Sequence, residues 1–206
     1  VKRRMELSAY SLIPQSQDAL RLIDLRVAGA PVANYAVKVS RLLVNGVKVE
    51  LDKPILAIMD TGTTGISVSD ALFDSGILPQ QWREARIEMT TERGGTCALE
   101  AAIKNRRKRL QTGLPFDSPE FEEFPLVVSP VHVPWFDPGT VDEECGDGQP
   151  FQCNGKPVGQ RPSIPDLLRL RALGLGPAPH VLFVGLAFLW SRQLTIDADA
   201  GRLLIV

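Results

Sequence analysis

Short apolar stretches, many of them alternating with polar residues, run along most of the chain and predict β-strands. The clearest covers residues 35–44, where Tyr35, Val37 and Val39 share one face of an extended segment. Asn45-Gly46 comes next, and this dipeptide between two apolar runs predicts a two-residue hairpin turn. Further strands are predicted over residues 5–13, 20–27, 47–51, 54–59, 66–68, 124–133, 181–188, 193–197 and 202–206. The pattern therefore predicts a mostly β protein.

Few segments carry a helical signal. Ser69 can begin a short capped helix over residues 69–73. A more charged helix is predicted over residues 79–88, and another over 164–173 that ends at Gly174. Residues 96–103 suit a strand or a helical turn equally well. Residues 137–165 form a long polar segment and are predicted to be a loop.

Composition narrows the class of protein. The 206 residues include 23 Lys+Arg and 24 Asp+Glu, a near balance that gives no overall attraction to nucleic acid. The strongest apolar run, residues 181–190, is about half of the ~20 residues that a membrane helix needs. A basic run at 104–109 is offset by acidic residues nearby, and it is predicted to be a solvated loop or a protein contact. We expect no metal, no cofactor, no nucleic-acid partner and no transmembrane segment.

One segment carries candidate chemistry. The apolar strand Ile55–Met59 leads directly into the sequence Asp60-Thr61-Gly62-Thr63-Thr64-Gly65. Glycine allows a sharp turn whose backbone N–H groups can donate to the Asp60 carboxylate, and threonine hydroxyls add further donors. The sequence thus predicts a carboxylate held in a fixed position at the end of a buried strand.

This segment resembles the active-site motif of the pepsin-like aspartic proteases. A second feature supports the resemblance: Phe183-Val184-Gly185 is followed by two closing strands, as at the end of the C-terminal lobe of that family. The resemblance covers roughly residues 20–206 and implies a single pepsin-like lobe, with residues 1–19 as an N-terminal extension. It implies that Asp60 is catalytic, that Thr61, Gly62 and Thr63 orient it, and that Gly185, Asn45 and Gly46 are structural.

The protease mechanism needs two facing carboxylates, one acting as base and the other as acid, and the chain encodes one convincing motif. Asp74-Ser75-Gly76 lacks a preceding apolar strand and is predicted to be a helix end. No tyrosine comes after the motif to serve as the flap tyrosine, and Leu186 stands where the family often has aspartate. The isolated chain is therefore predicted to be inactive.

The residues support two functional hypotheses. In the first, a second protease lobe supplies the missing aspartate, and the pair hydrolyses peptide bonds at acidic pH. In the second, the chain is a non-catalytic subunit of a larger protein assembly. In either case the partner is a protein.

The cysteines and histidines leave alternatives open. Composition fits one disulfide plus one thiol, or three thiols, among Cys97, Cys145 and Cys153. The resemblance favours a disulfide from Cys97 to Cys145 or Cys153, although the latter two could pair with each other. His132 and His180 are predicted to be ordinary surface or packing residues.

The beginning of the chain bears on its location. The first residue is Val1, and no signal-peptide pattern comes after it. We expect that a targeting or pro segment has been removed, with a secretory, vacuolar or organelle-lumenal location.

Overall fold

The structure is a computed structural model that describes residues 8, 10–28, 35–102, 126–131, 133, 152–153, 156–157, 171–175 and 179–206. These residues are mostly β, as predicted. The strands are β1 (Leu20–Arg21), β2 (Ile23–Asp24), β3 (Tyr35–Val44), β4 (Val47–Lys48), β5 (Ile55–Met59), β6 (Ile66–Ser69), β7 (Glu84–Thr90), β8 (Thr96–Ala102), β9 (Val128–Val131), β10 (Gln152–Cys153), β11 (Lys156–Pro157), β12 (His180–Val184), β13 (Leu194–Asp197) and β14 (Arg202–Ile205). Two short helices are α1 (Asp70–Phe73) and α2 (Leu186–Leu189), and Leu25–Ala28 is a 3-10 turn. Arg171 and Ala172 are also helical, and the chain leaves that helical segment before Gly174, which has φ +65°.

The largest sheet has nine strands, seven of them in the order β8-β7-β3-β5-β12-β6-β9, with β2 and β4 also paired to β3. Strand β12 lies parallel to β5, with Leu182 opposite Ala57, and antiparallel to β6, with Leu182 opposite Val68. A late segment of the chain is thus inserted between two early strands. This insertion places the end of β12 beside the end of β5.

Both faces of the central strands are covered. Along β5, Ile55 and Ala57 belong to a large apolar cluster, whereas Leu56 and Ile58 belong to a smaller one. Successive side chains of a strand point to opposite faces, so the two clusters lie on opposite sides of the sheet. Burial on both faces explains why β5 is a continuous apolar run, and each fully buried leucine contributes about 1.5–3 kcal/mol.

A separate three-stranded sheet has the order β1-β14-β13. Leu203 on β14 lies opposite Leu20 on β1 and Ile196 on β13. Leu20 and Leu203 pack into the large cluster, which joins this sheet to the nine-stranded one, while Ile196 is exposed at the outer strand.

The Asn45-Gly46 turn is confirmed. Val44 pairs with Val47 around it, and Asn45 and Gly46 have φ of +53° and +76°, the left-handed values that this two-residue turn requires. The Asn45 side chain does more than permit the turn, because it accepts from the Arg83 N–H at 2.7 Å and donates to the Gln81 carbonyl at 2.8 Å.

The helix predicted over residues 79–88 is wrong. Residues 84–90 form β7, in which Ala85, Ile87 and Met89 are buried on one face. The glutamate and arginine residues between them suit a helix by propensity, but pairing with β3 and β8 decides the structure. The ambiguity over residues 96–103 is settled for 96–102, which form a strand.

Four other predicted strands need correction. Of the strand predicted over 20–27, residues 25–27 belong to the 3-10 turn Leu25–Ala28, and the strand predicted over 47–51 ends at Lys48. The strand predicted over 181–188 ends at Val184, and Leu186–Leu189 form α2, because the chain turns at Gly185 into a short helix. Of the strand predicted over 5–13, residues 10–13 form bends rather than a strand, while residues 5–7 and 9 lie outside the described residues. Ile13 is nonetheless only 2% exposed, so this part of the predicted extension packs against the domain.

The helix at 69–73 is present as α1, but Ser69 does not cap it. No side-chain capping bond is formed at Ser69. Its hydroxyl instead accepts a hydrogen bond from the Val181 N–H at 3.3 Å, tying α1 to β12.

A buried histidine marks the beginning of β12. The His180 side chain is 4% exposed, and its Nε2 lies 2.9 Å from Oδ1 of Asp52. The hydrogen bond from His180 lowers the pKa of Asp52 below its ordinary value. His180 is therefore a packing residue with a polar partner.

This pair predicts a pH-dependent effect of Asp52→Asn. Because the folded-state pKa of Asp52 is lowered, its contribution to stability is present above the ordinary carboxyl value and is lost as the pH falls through the folded value. Thermal unfolding should show a lower Tm for Asp52→Asn than for the wild type at neutral pH. The difference in Tm between the two proteins should be smaller in strong acid. An equal difference at both pH values would contradict this explanation.

Candidate functional site

Asp60, the candidate catalytic carboxylate, comes directly after strand β5. The Asp60 N–H donates to the Val184 carbonyl at 2.9 Å, which fixes its backbone against β12. Its carboxylate accepts from the Gly62 N–H at 2.8 Å through Oδ1 and from the Thr63 hydroxyl at 2.7 Å through Oδ2. Both carboxylate oxygens are therefore oriented by the residues of the turn itself.

The segment that comes directly after β12 holds the turn in place through backbone hydrogen bonds, and it is called here the clamp. The N–H groups of Gly185, Leu186 and Ala187 donate to the carbonyls of Gly65, Thr63 and Thr64, at 2.9, 2.8 and 2.8 Å respectively. Three successive carbonyls of the turn are thus held by three successive residues of the other segment. The position of the Asp60 carboxylate depends on this backbone-to-backbone contact.

Two glycines make the contact possible. A Cβ at Gly185 would lie 2.3 Å from the Thr63 carbonyl oxygen and 2.4 Å from that of Gly65. A Cβ at Gly65 would lie 2.0 Å from the Val127 carbonyl oxygen, because the segment before β9 crosses there and accepts from the Ile66 N–H at 2.8 Å. Three chain segments therefore meet immediately after the Asp60 turn.

Sequence reasoning singled out Gly185 but missed Gly65 and Val127. A glycine at position 65 was visible in the motif, but nothing local indicates that a segment some sixty residues later lies against it, 127 − 65 = 62. Parallel pairing of β6 with β9, with Ile66 opposite Val128, brings Gly65 and Val127 together.

The site is open to the surface. Asp60 and Thr63 are half-buried, and Thr61 and Gly62 are exposed. Such a carboxylate can accept a proton from, or hydrogen-bond to, a molecule that approaches the turn. Within the described ranges, its hydrogen bonds come from its own turn and none reaches a second carboxylate.

The Asp74-Ser75-Gly76 sequence is a helix end, as predicted. Asp74 is the C-terminal capping residue of α1, the Ser75 hydroxyl donates to the Leu72 carbonyl at 2.7 Å, and Gly76 has φ +75°. These contacts make it a turn that ends a helix.

The predicted disulfides fall only partly within the described residues. Cys97 lies on β8 as a free thiol, half-buried, and burial raises its pKa. Cys145 lies outside the described residues, and of Cys153 only the strand assignment is described. Pairing between Cys145 and Cys153 therefore stays a prediction.

Several other sequence candidates also lie outside the described residues: His132, the basic run 104–109, and all of the loop 137–165 except 152–153 and 156–157. In the part of the chain that is described, no cluster of three histidine, cysteine or acidic side chains is arranged to hold a metal ion. No helix there is long and apolar enough to cross a membrane.

Comparison of the chain with protein-family models, with curated proteins and with solved structures gave no match. Support for a function therefore comes from the geometry of the Asp60 turn.

Substitution of the two clamping glycines should destabilise the fold. Gly65→Ala and Gly185→Ala would each place a methyl group against backbone atoms, which cannot move aside as a side chain can, at a cost of about 1–3 kcal/mol or more. Denaturant unfolding would measure the loss.

Gly76→Ala is the matched control, because a Cβ there meets nothing within 4 Å and only its positive φ is penalised, by about 1–2 kcal/mol. The interpretation fails if Gly65→Ala is as stable as the wild type. Val127→Ala should not rescue Gly65→Ala, because the obstructing atoms belong to the Val127 backbone.

Proposed function

We propose that this chain is one pepsin-like lobe of an aspartic endopeptidase, with Asp60 as one of two catalytic carboxylates. The observation that supports it most is the geometry of Asp60, a strand-end carboxylate whose two oxygens are each oriented by a donor from a Thr-Gly turn. Thr61, Gly62 and Thr63 form that turn, and Gly185 clamps it.

Peptide hydrolysis by an aspartic protease requires a second carboxylate in addition to Asp60. Peptide hydrolysis by this route requires one carboxylate to take a proton from water while the other donates a proton to the substrate. A fixed and surface-accessible Asp60 suits either role. The second carboxylate would come from a second lobe placed against the exposed Asp60 turn, with an extended peptide bound between them.

The active form would therefore contain two lobes. It would work at acidic pH, where two carboxylates that face one another share a proton. An acidic secretory, vacuolar or organelle-lumenal compartment would suit this activity.

The alternative is a protease-like subunit that no longer catalyses. It is favoured by the single Asp-Thr-Gly sequence in the chain and by the lack of a second carboxylate bonded to Asp60 among the described residues. In this case the Asp60 turn would be retained because it connects β5, β6 and β12, and other protein subunits would cover the open face.

Asp60→Asn tests the protease proposal in the native assembly. Cleavage of a denatured protein at acidic pH should fall by roughly a thousandfold or more, since removal of a catalytic group usually acts on that scale. Binding of a pepstatin-type transition-state mimic should weaken in parallel. Asp74→Asn removes a carboxylate from another Asp-X-Gly sequence, Asp74-Ser75-Gly76, and should leave both measurements unchanged.

Two outcomes would count against the proposal. A native assembly that contains no carboxylate facing Asp60 would favour the structural subunit. Cleavage by a verified monomer of this chain would contradict the requirement for a second lobe.

A further inference from the structure

The segment of residues 10–19, called here the strap, is held across the molecule mainly by the largely buried side chain of Arg202, and the Arg93 side chain adds a bond to the Gln15 carbonyl at 3.0 Å. The Arg202 side chain on β14 is 11% exposed. It donates to three carbonyls of the strap, those of Ile13, Pro14 and Gln17, at 3.4, 3.3 and 2.6 Å. The same guanidinium donates to Glu92 at 3.0 Å, so β14, the strap and the turn between β7 and β8 share a single anchor.

The strap also supplies an acceptor to the β7–β8 turn, the carboxylate of Asp18. Asp18 accepts from the Thr91 hydroxyl at 2.5 Å through Oδ2 and from the Arg93 N–H at 3.0 Å through Oδ1. Beside it, the Glu92 N–H donates to the Ala19 carbonyl at 2.8 Å. The carboxylate is an acceptor in both of its bonds, an arrangement that fits its ionised form.

The charges around this contact come from every element packed against it. The turn contributes Glu92 and Arg93, β14 contributes Arg202, and β1 contributes Arg21, which lies opposite Arg202 in the sheet. Strand β13 contributes Asp197, whose pKa is lowered mainly by the nearby Ser11 hydroxyl of the strap. Asp197 Oδ2 is nevertheless buried with no partner of hydrogen-bond geometry among the described residues, and the latch proposed below does not require it.

We propose that the strap is an acid-sensitive latch: ionised Asp18 holds residues 10–19 against the β7–β8 turn, and protonation of Asp18 releases them while the two sheets stay folded. Protonation removes the negative charge that accepts from the Thr91 hydroxyl and the Arg93 N–H, and it weakens both bonds because a hydrogen bond to an ionised acceptor is roughly twice as strong as a neutral one. Release would expose Ile13 and the face of β14 that the strap covers.

The sign of the effect is set by Asp18 itself. The bond from the Thr91 hydroxyl, and next the N–H and charge of Arg93, hold the pKa of Asp18 below its ordinary value against the opposing effect of burial. The latch is therefore fully closed above the ordinary carboxyl pKa of about 3.9, and it opens as the pH falls through the lower folded value. The latch works in the same way whether or not Asp60 is catalytic.

Amide hydrogen exchange on the 206-residue chain, followed by NMR from neutral pH down to about pH 2, tests the latch. Protection factors, which correct for the intrinsic effect of pH, should fall at least about tenfold in acid for the Glu92 and Arg93 amides. The Leu56 and Leu182 amides, in the centre of the large sheet, should stay protected. Asp18→Asn should show the same loss already at neutral pH.

Asp24→Asn is the matched control, because Asp24 also has a lowered pKa but pairs with Arg26 outside the strap. It should leave the Glu92 and Arg93 amides protected. The proposal is overturned if Asp18→Asn protects these amides as well as the wild type does, or if the wild-type amides stay protected in acid. It is also overturned if Leu56 and Leu182 lose protection at the same pH, because the strap would then not open on its own.

Discussion

Strand β12 is inserted between β5 and β6, and this insertion determines where the Asp60 turn and the segment that clamps it are placed. It pairs a late strand with two early ones. With β3 on its other side, β5 is covered on both edges as well as on both faces. It also brings the Gly185 segment to the Asp60 turn, where backbone meets backbone with no room for a side chain. The fixed position of the carboxylate is thus a product of sheet topology as much as of the Asp-Thr-Gly sequence.

Features with a local cause could be predicted from the sequence. The Asn45-Gly46 turn needs two left-handed residues in a row, and few dipeptides supply them. The apolar run of β5 and the glycine after Asp60 predicted a strand that ends in a sharp turn, and the structure has both. The mostly β character was evident from the alternation of apolar and polar residues along the chain.

Features with a distant cause could not be predicted. Segment 84–88 has helix-forming side chains, and only its pairing with β3 makes it a strand. Ser69 stands in a capping position, yet its hydroxyl bonds to Val181, which is more than a hundred residues away in sequence, 181 − 69 = 112. The strap has a weak local pattern and is held by Arg202, near the other end of the chain. In each case the deciding partner is set by topology, which a single sequence does not reveal.

The long separation of Asp60 from Gly185 has a consequence for biosynthesis. The turn and its clamp lie 185 − 60 = 125 residues apart, and closing so long a loop must precede the contacts that reward it. While the chain emerges from the ribosome, the Asp60 loop has no clamp until the segment through Ala187 is free to fold. The carboxylate is therefore set in position only after residues 185–187 have been made, and a chain cut short before that segment would carry the Asp-Thr-Gly sequence without its geometry.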